Sequence, residues 1–424
     1  MITDEQLAET ELACNNGLRF VRPYMHAFTA NCKLRWVGES VLEVLVREFI
    51  GLSRADFERA IAQRRVLLNG QPVVPERVFR DGDVLSHVTH RHEAPVVGTP
   101  LRLLPQANGA AAVVAVDKPP SIPVHPGGRY RHLSLTFLLA REHGLRRLFI
   151  AHRLDRLTSG VVLFGATTEA AAGLSKLIST GQTRKCYLAL VRGNMHAAHA
   201  AAFLRVDQPI VVRGGYEGVC SIGPDGKRSV TLLRSVCYDA ARDVSVALCL
   251  PLTGRTHQIR VHLEHVGFPI ANDPLYLSVA QHPQRSDGLH HRKRAVPEDA
   301  AADDAAETHA SSSAASSASP FHGDTRDYCL DCTAPEPDPT SESLMIFLHA
   351  YSYLLRRPDA GWPAALPFAG ESAKFESGLP SWASASGATT AAIDALLDEF
   401  EALPVAERSV SDDDDDGGGG GGGE

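Results

Sequence analysis

The spacing of apolar and polar residues changes character twice along the chain. From Ser40 to Phe49, and again from Ser53 to Arg64, the pattern reads as helical, and the short apolar run Val66 to Leu68 follows. Asn69-Gly70 is a hairpin signal that returns the chain through Pro72 to Val74, and Asp81-Gly82-Asp83 marks another turn before Val84 to Val88. From about residue 111 the pattern becomes short apolar runs divided by glycine and proline, namely Ala112 to Val116, Gly160 to Phe164, Cys186 to Val191 and Val244 to Leu250. These predict strands. Between the second and third, Ala171, Leu174, Leu177 and Ile178 share one helical face over Thr167 to Thr180, with Thr167 or Thr168 as cap and Gly181 as terminator. A further helix is predicted from Thr256 to His265, closing at Gly267 with Pro269 behind it. Strands outnumber helices, so the expected class is α+β with a mixed, mainly antiparallel sheet.

Residues 278–340 break this pattern with Ala/Ser runs, acids and the basic cluster His290 to Arg294, and read as a low-complexity insertion forming a flexible loop. Met345 to Leu348, continuing into His349, Ala350 and Tyr351, resumes a strand. The expected layout is an extension over 1–30, a small α+β domain over 31–100, a main domain over 101–277 and 341–357, and a largely disordered tail over 358–424. Asp412 to Asp416 and the glycines after them can bury nothing.

Charge alters the picture once it is sorted by position. The whole chain carries −8, but residues 1–280 hold 33 Lys and Arg against 24 Asp and Glu, whereas 281–424 hold 9 against 26. Within 101–280 the balance is 21 against 11, a surplus suited to a phosphate backbone. No apolar run approaches the ~20 residues of a membrane helix, and the acidic start (Asp4, Glu5, Glu9, Glu11) differs from a signal or transit peptide. Eight cysteines in a chain this long do not form a disulfide framework, so a reducing, intracellular setting is expected, cytoplasmic first, with mitochondria or nucleus open.

The sharpest chemistry lies in His152-Arg153-Leu154-Asp155-Arg156-Leu157-Thr158-Ser159-Gly160. Cationic neighbours keep a carboxylate ionised, which suits a nucleophile better than a general acid, although a structural Arg-Asp bridge would look the same. His262 and His265 lack an accompanying carboxylate cluster, and the lone pair Cys329 and Cys332 supplies two ligands where a structural zinc wants four. No metal is expected on that count.

Taken with three further segments and a C-terminal signature, the Asp155 segment resembles the catalytic motif of the RluA-type pseudouridine synthases. Asp117-Lys118-Pro119-Pro120, continuing to Val124-His125-Pro126, is similar to the first motif of that family. Lys185 to Val191 resembles the strand with its active-site tyrosine, Leu252 to Leu263 its most recognisable stretch, and Leu348-His349-Ala350 its C-terminal signature. The two helices and hairpin before them, with Arg54, Arg59, Arg64 and Arg65, resemble the small RNA-binding domain called S4. Arg35 to Gly38, His90 to Glu93, and Cys329 and Cys332 with Pro335 to Pro339 resemble the eukaryotic branch that acts on tRNA. Three positions depart from the family pattern: Ser121 and Asn272, where glycine is usual, and Glu39, often basic in this branch.

The resemblance implies an isomerase that detaches uracil from ribose and reattaches it through carbon, acting on RNA, tRNA first, as a monomer without cofactor. Asp155 is then the nucleophile. Tyr187 stacks on the uracil and serves as base or relay, and Arg255 is the preferred ion-pair partner of Asp155, with Arg260 as the substitute. Ile259 forms an apolar wall. Arg153 and Arg156 hold phosphates or fill the place of a flipped base, and Lys118 and His152 are expected on the substrate side. Two other readings use the same residues. One is an RNA-binding chaperone that has lost the chemistry, and the other is a glycosidase, which would need a second carboxylate that the aspartate motif lacks.

Overall fold

The computed structural model describes residues 1–49, 52–105, 112–213, 219–277, 321, 326, 329–333, 338–340, 342–405 and 407–410. The chain opens with α1 (Asp4–Ala8), β1 (Leu12–Asn15), β2 (Leu18–Val21) and β3 (Tyr24–Asn31). Next come α2 (Val41–Glu48) and α3 (Arg54–Ala62). The hydroxyls of Ser40 and Ser53 accept the backbone N–H groups of Glu43 and Asp56, pairing donors that a helix start leaves open. The hairpin β4 (Val66–Leu68) and β5 (Gln71–Pro72) turns at Asn69 and Gly70, both with positive φ, as a tight two-residue turn demands. With β6 (Val84–Arg91) these strands form a sheet of order β3-β6-β4-β5 around Trp36, Val41, Val44, Leu45, Phe57 and Phe79. Strand β3 pairs with β6 along its whole length, so the small domain starts before residue 31 and includes part of the expected extension. Being an edge strand with mostly uncovered side chains, β3 carries no apolar run to announce it. A separate sheet joins β1, β2 and β7 (Val96–Val97), and β8 (Arg102–Leu103) leads into the main domain.

The main domain continues through β9 (Val113–Lys118), α4 (Leu135–His143), β10 (Phe149–Ile150), β11 (Ser159–Gly165), α5 (Thr168–Ser179) and β12 (Thr183–Arg192). It goes on with α6 (Met195–His199), β13 (Leu204–Asp207), β14 (Ile210–Arg213), β15 (Val219–Ile222), β16 (Val230–Asp239), β17 (Val244–Pro251) and α7 (Gln258–His265). After a short helix, α8 (Leu330–Thr333), the chain re-enters the sheet as β18 (Leu348–Arg356) and β19 (Ser372–Glu376). The order is β13-β16-β17-β12-β18-β11-β9-β8, with β10 on β11 and β19 on β18. Neighbours are antiparallel except β11 and β18, so the α+β, mainly antiparallel expectation holds.

Alternation along β12 divides the core. Tyr187, Ala189 and Val191 face a cluster with Leu157, Ile259 and Leu263, while Cys186, Leu188 and Leu190 face the other way. That second face is covered by α9 (Ser381–Ser384) and α10 (Thr390–Ala402) through Ala383, Ile393, Leu397 and Phe400. Residues 358–405 are therefore structured, which corrects the expected disordered tail. A sheet apolar on both faces needs two covers, and α10 shows the required i, i+4, i+7 spacing with Thr389 as N-cap. Glu401 also pairs with Arg184 and Arg356, and Glu399 with Arg234. The aspartate and glycine runs from 411 on, and residues 278–320 of the insertion, lie outside the described residues.

One glycine is fixed by the sheet. Gly160 has φ +106° and pairs with Ala350 where β11 and β18 run parallel, and a Cβ there would lie 2.2 Å from the Ala350 carbonyl oxygen. Gly160→Ala is expected to lower stability by about 3 kcal/mol or more, read from the urea midpoint. An unchanged midpoint would show that the parallel pairing can shift.

Candidate active site

Asp155 lies in the loop between β10 and β11, and that loop is anchored on both sides. Lys118, fully enclosed at the end of β9, donates through Nζ to the carbonyls of Pro119, Ile122 and Arg156, at 3.1, 2.9 and 3.1 Å. Burial pushes its ammonium down to about 7. Lys118 is thus a brace for the Asp155 loop, which corrects its expected place among substrate contacts. Beyond the loop, Ser159 Oγ meets His349 Nδ1 at 2.8 Å, and His349 Nε2 meets Ser377 Oγ at 2.7 Å.

His152 also has structural partners. Its Nε2 accepts the Leu163 N–H at 3.0 Å, and the ring stacks on Tyr353. An acceptor nitrogen must be unprotonated, in keeping with burial that pushes this imidazole down to about 3. Burial likewise holds His132 and His349 at about 4. All three stay neutral in the fold while the unfolded chain binds protons from about pH 6.5 downward, so stability is lost as pH falls from there toward 4. A decline of up to about 1.4 kcal/mol per histidine per pH unit is expected in that window. Thermal midpoints at pH 7.5 and pH 5 check this, and equal values would refute it.

The partner of Asp155 comes from α7. Arg260 Nη1 donates to Asp155 Oδ2 at 3.2 Å, while its Nε and Nη2 donate to both oxygens of Asp273 at 2.7 and 2.9 Å. Asp273 is fully buried and also accepts the backbone N–H groups of Leu275 and Tyr276. Burial works against the Arg260 charge, but the Asp273 hydrogen bonds and the charges of Asp273 and Asp155 more than offset it. Tyr276 lies under the guanidinium, 4.9 Å from its ring centre. The expected first choice, Arg255, instead donates to the Arg228 carbonyl at 3.1 Å. The reason is where the helix begins. Gln258 accepts from Thr253 Oγ1 and the Arg255 N–H and donates to Val230 O and Thr231 Oγ1, so the turn is locked and α7 starts at 258 rather than 256. Arg260, inside the helix, faces Asp155, and Arg255 stays in the turn before it.

Tyr187 is buried beside Ile259 and Leu157, and its hydroxyl meets that of Tyr353 at 2.6 Å. Burial raises its pKa, partly opposed by the Tyr353 hydrogen bond and reinforced by the Asp155 charge. The group is a phenol at neutral pH, fit for stacking and hydrogen bonding and poor as a resting base. Arg153 is exposed next to Asp155, and Arg156 lies over the Tyr130 ring. The Asp155 side chain keeps about a quarter of its surface open.

Four contributors escaped the sequence reading. Tyr353 and Asp273 orient Tyr187 and Arg260. His257, in a left-handed conformation before α7, places Nε2 3.6 Å from Asp155 Oδ2 while its Nδ1 meets the Tyr276 hydroxyl at 2.8 Å. Asp273 and Tyr276 stand three residues apart in one short segment, the signal that could have paired them. His262 is used structurally, by Thr231 Oγ1 and Gln208 O. The expectation of no metal rested on two cysteines, and the structure brings His90 and His92 to them.

Comparison with known proteins fits this geometry. The family described as RNA pseudouridylate synthase matches residues 112–265. Over 286 residues the chain is 44% identical to pseudouridylate synthase RPUSD2 of Homo sapiens, covering 67% of this chain and 51% of that protein. It is 34% identical over 275 residues to the mitochondrial tRNA pseudouridine(32) synthase of Saccharomyces cerevisiae, covering 63% and 57%. With the tRNA pseudouridine(31) synthase of the same yeast it shares 30% over 379 residues, covering 81% of this chain and 93% of that protein. The chain belongs to the RNA pseudouridylate synthase family. It spans about half the length of its human relative.

The departures from the usual family pattern have local causes in this pseudouridylate synthase fold. Ser121 takes the left-handed conformation that glycine would, φ +69°, and its hydroxyl accepts the Val97 N–H at 2.9 Å. Asn272 donates to Met345 O and accepts the Phe347 N–H, clamping the chain just before β18. Glu39 pairs with Arg47.

Proposed function

We propose that the chain isomerises uridine in RNA to pseudouridine, with tRNA as substrate and Asp155 as nucleophile. One observation carries this reading: a partly open carboxylate is gripped from behind by a buried arginine whose other bonds are all committed to Asp273. Such a carboxylate is fixed in direction by a charge-assisted hydrogen bond, which suits attack or stabilisation of a cation better than acid catalysis. The target uridine leaves its stack at a cost of roughly a few kcal/mol, with Arg153 and Arg156 placed for phosphate or the vacated stack. The N1–C1′ bond breaks with Asp155 assisting, the uracil turns between Tyr187 and Ile259, C5 bonds to C1′, the C5 proton leaves and N1 gains one. Atoms balance without a cofactor.

The names of the two yeast relatives support tRNA, and the basic balance of 101–280 supports a polyanion. In the small domain, Arg54 is held by Glu43 and Arg59 stands near Asp56, so the domain offers less unengaged positive charge than its sequence suggests. Carbodiimide mapping of pseudouridine in RNA from cells with and without the gene tests the proposal. Loss of a tRNA site in the deletion supports it, loss confined to ribosomal or messenger RNA moves the substrate, and no loss anywhere leaves RNA binding without chemistry. Fractionation of the same cells decides between cytoplasm and the mitochondrion that one relative's name indicates.

A further inference from the structure

The end of β6 and the turn at α8 come from chain segments some 240 residues apart, and the fold sets four soft donor groups against each other where they meet. His90 lies in β6 and His92 just past its end, and the two rings meet edge to face. Cys329 and Cys332 are three apart across one helical turn, closed by the Cys332 N–H donating to the Cys329 carbonyl at 3.1 Å. His90 Nδ1 and His92 Nε2 are 3.3 Å apart, and Cys332 Sγ lies 3.3 Å from the first and 3.2 Å from the second. The ligand atoms of all four residues fall within 4.8 Å of one another.

These distances have a simple geometric meaning. With zinc bonded to nitrogen at about 2.05 Å and to sulfur at about 2.3 Å, a tetrahedron requires nitrogens about 3.3 Å apart and sulfur about 3.6 Å from nitrogen. We propose that His90, His92, Cys329 and Cys332 form a structural zinc site that staples the segment ahead of β18 to the small domain. Two thiolates and two neutral imidazoles cancel the charge of the ion, and four protein ligands leave no open position for chemistry. Cys329 and His90 are buried and the other two partly so, a closed setting that fits a structural role.

The location gives the staple a purpose. Immediately after His92, Glu93 accepts the backbone N–H groups of Arg131, His132 and Leu133. Arg91 donates to Gly128 O, and Arg129 pairs with Asp331 between the two cysteines. The same 128–133 loop carries Tyr130, under the guanidinium of Arg156 beside Asp155. The metal thus fixes a corner that positions one wall of the active site, and the sequence could not show it because two ligands precede the catalytic domain and two lie in the insertion that interrupts it.

The test uses the full chain purified without a histidine tag. Elemental analysis is expected to give one zinc per chain, released by a mercurial and measured with a chromophoric chelator. Refolding on cobalt(II) is expected to give a thiolate-to-cobalt charge-transfer band and the intense visible bands of a tetrahedral site. The double variant Cys329→Ser with Cys332→Ser, and His92→Ala separately, are expected to lose the bound zinc at least tenfold. Stoichiometric zinc that survives the double variant overturns the proposal, as does a wild-type protein that takes up neither zinc nor cobalt when its thiols are reduced. A Cys329–Cys332 disulfide that persists in place of metal would overturn it too and mark the pair as redox-active. Because the cobalt spectrum is read on wild-type protein, the result does not depend on the variants folding.

Discussion

Protein carrying Asp155→Asn is expected to release no measurable tritium from a tRNA transcript labelled at uridine C5, a loss of at least about 10⁴-fold, while remaining folded and bound to RNA. Removing an activated nucleophile commonly costs this much, because binding and orientation alone leave only a small residue of the rate. The substitution keeps the shape of the side chain, and Arg260 keeps both bonds to Asp273, so the thermal midpoint should move by no more than about 2 °C. Retained activity would remove Asp155 from the chemistry. Lost activity together with a collapsed midpoint would instead make the residue a structural brace, and the two outcomes are separated by measuring turnover, RNA affinity and melting on the same preparation.

Arg260→Ala should act on both activity and stability. Asp273 would be left buried with its charge, holding only the backbone donors of Leu275 and Tyr276, and stranding a buried carboxylate costs about 3–5 kcal/mol. Asp155 would lose its fixed direction at the same time. Turnover is therefore expected to fall by about 10³-fold or more, expressed in kcat rather than KM, because the group holds Asp155 and not the RNA. Arg260→Lys restores a charge without the planar two-bond grip, so it should recover part of the stability and little of the turnover. Arg255→Ala is the matched comparison: its guanidinium meets the Arg228 carbonyl, and kcat should drop far less than for Arg260→Ala. The reverse ranking would return Arg255 to the place that the sequence motif suggested.

Much of the architecture was written in local pattern. The paired helix starts at Ser40 and Ser53, the Asn69-Gly70 turn, the strands that became β9, β11, β12 and β17, and the Thr167 cap each follow from residues adjacent in sequence. Capping, positive φ and alternation need only neighbours, so they survive into the fold unaltered. The tail was legible in the same terms. Ile393, Leu397 and Phe400 have helical spacing, although aspartate and glycine runs follow residue 410 in the same segment.

The sequence by itself determined that an aspartate stands between two arginines, that Tyr187 lies on an apolar strand, and that two candidate arginines flank the start of one helix. Only the tertiary structure decided which arginine reaches Asp155, that Lys118 and His152 brace the loop from within, and that Asp273, Tyr353 and His257 complete the site. It also decided that two histidines at the end of β6 meet two cysteines from within the insertion. The division has one physical cause. Local hydrogen bonding and side-chain periodicity act over a few residues, whereas an ion pair or ligand set depends on distances of a few ångströms between residues that the chain separates by a hundred or more, and only the packed sheet fixes those.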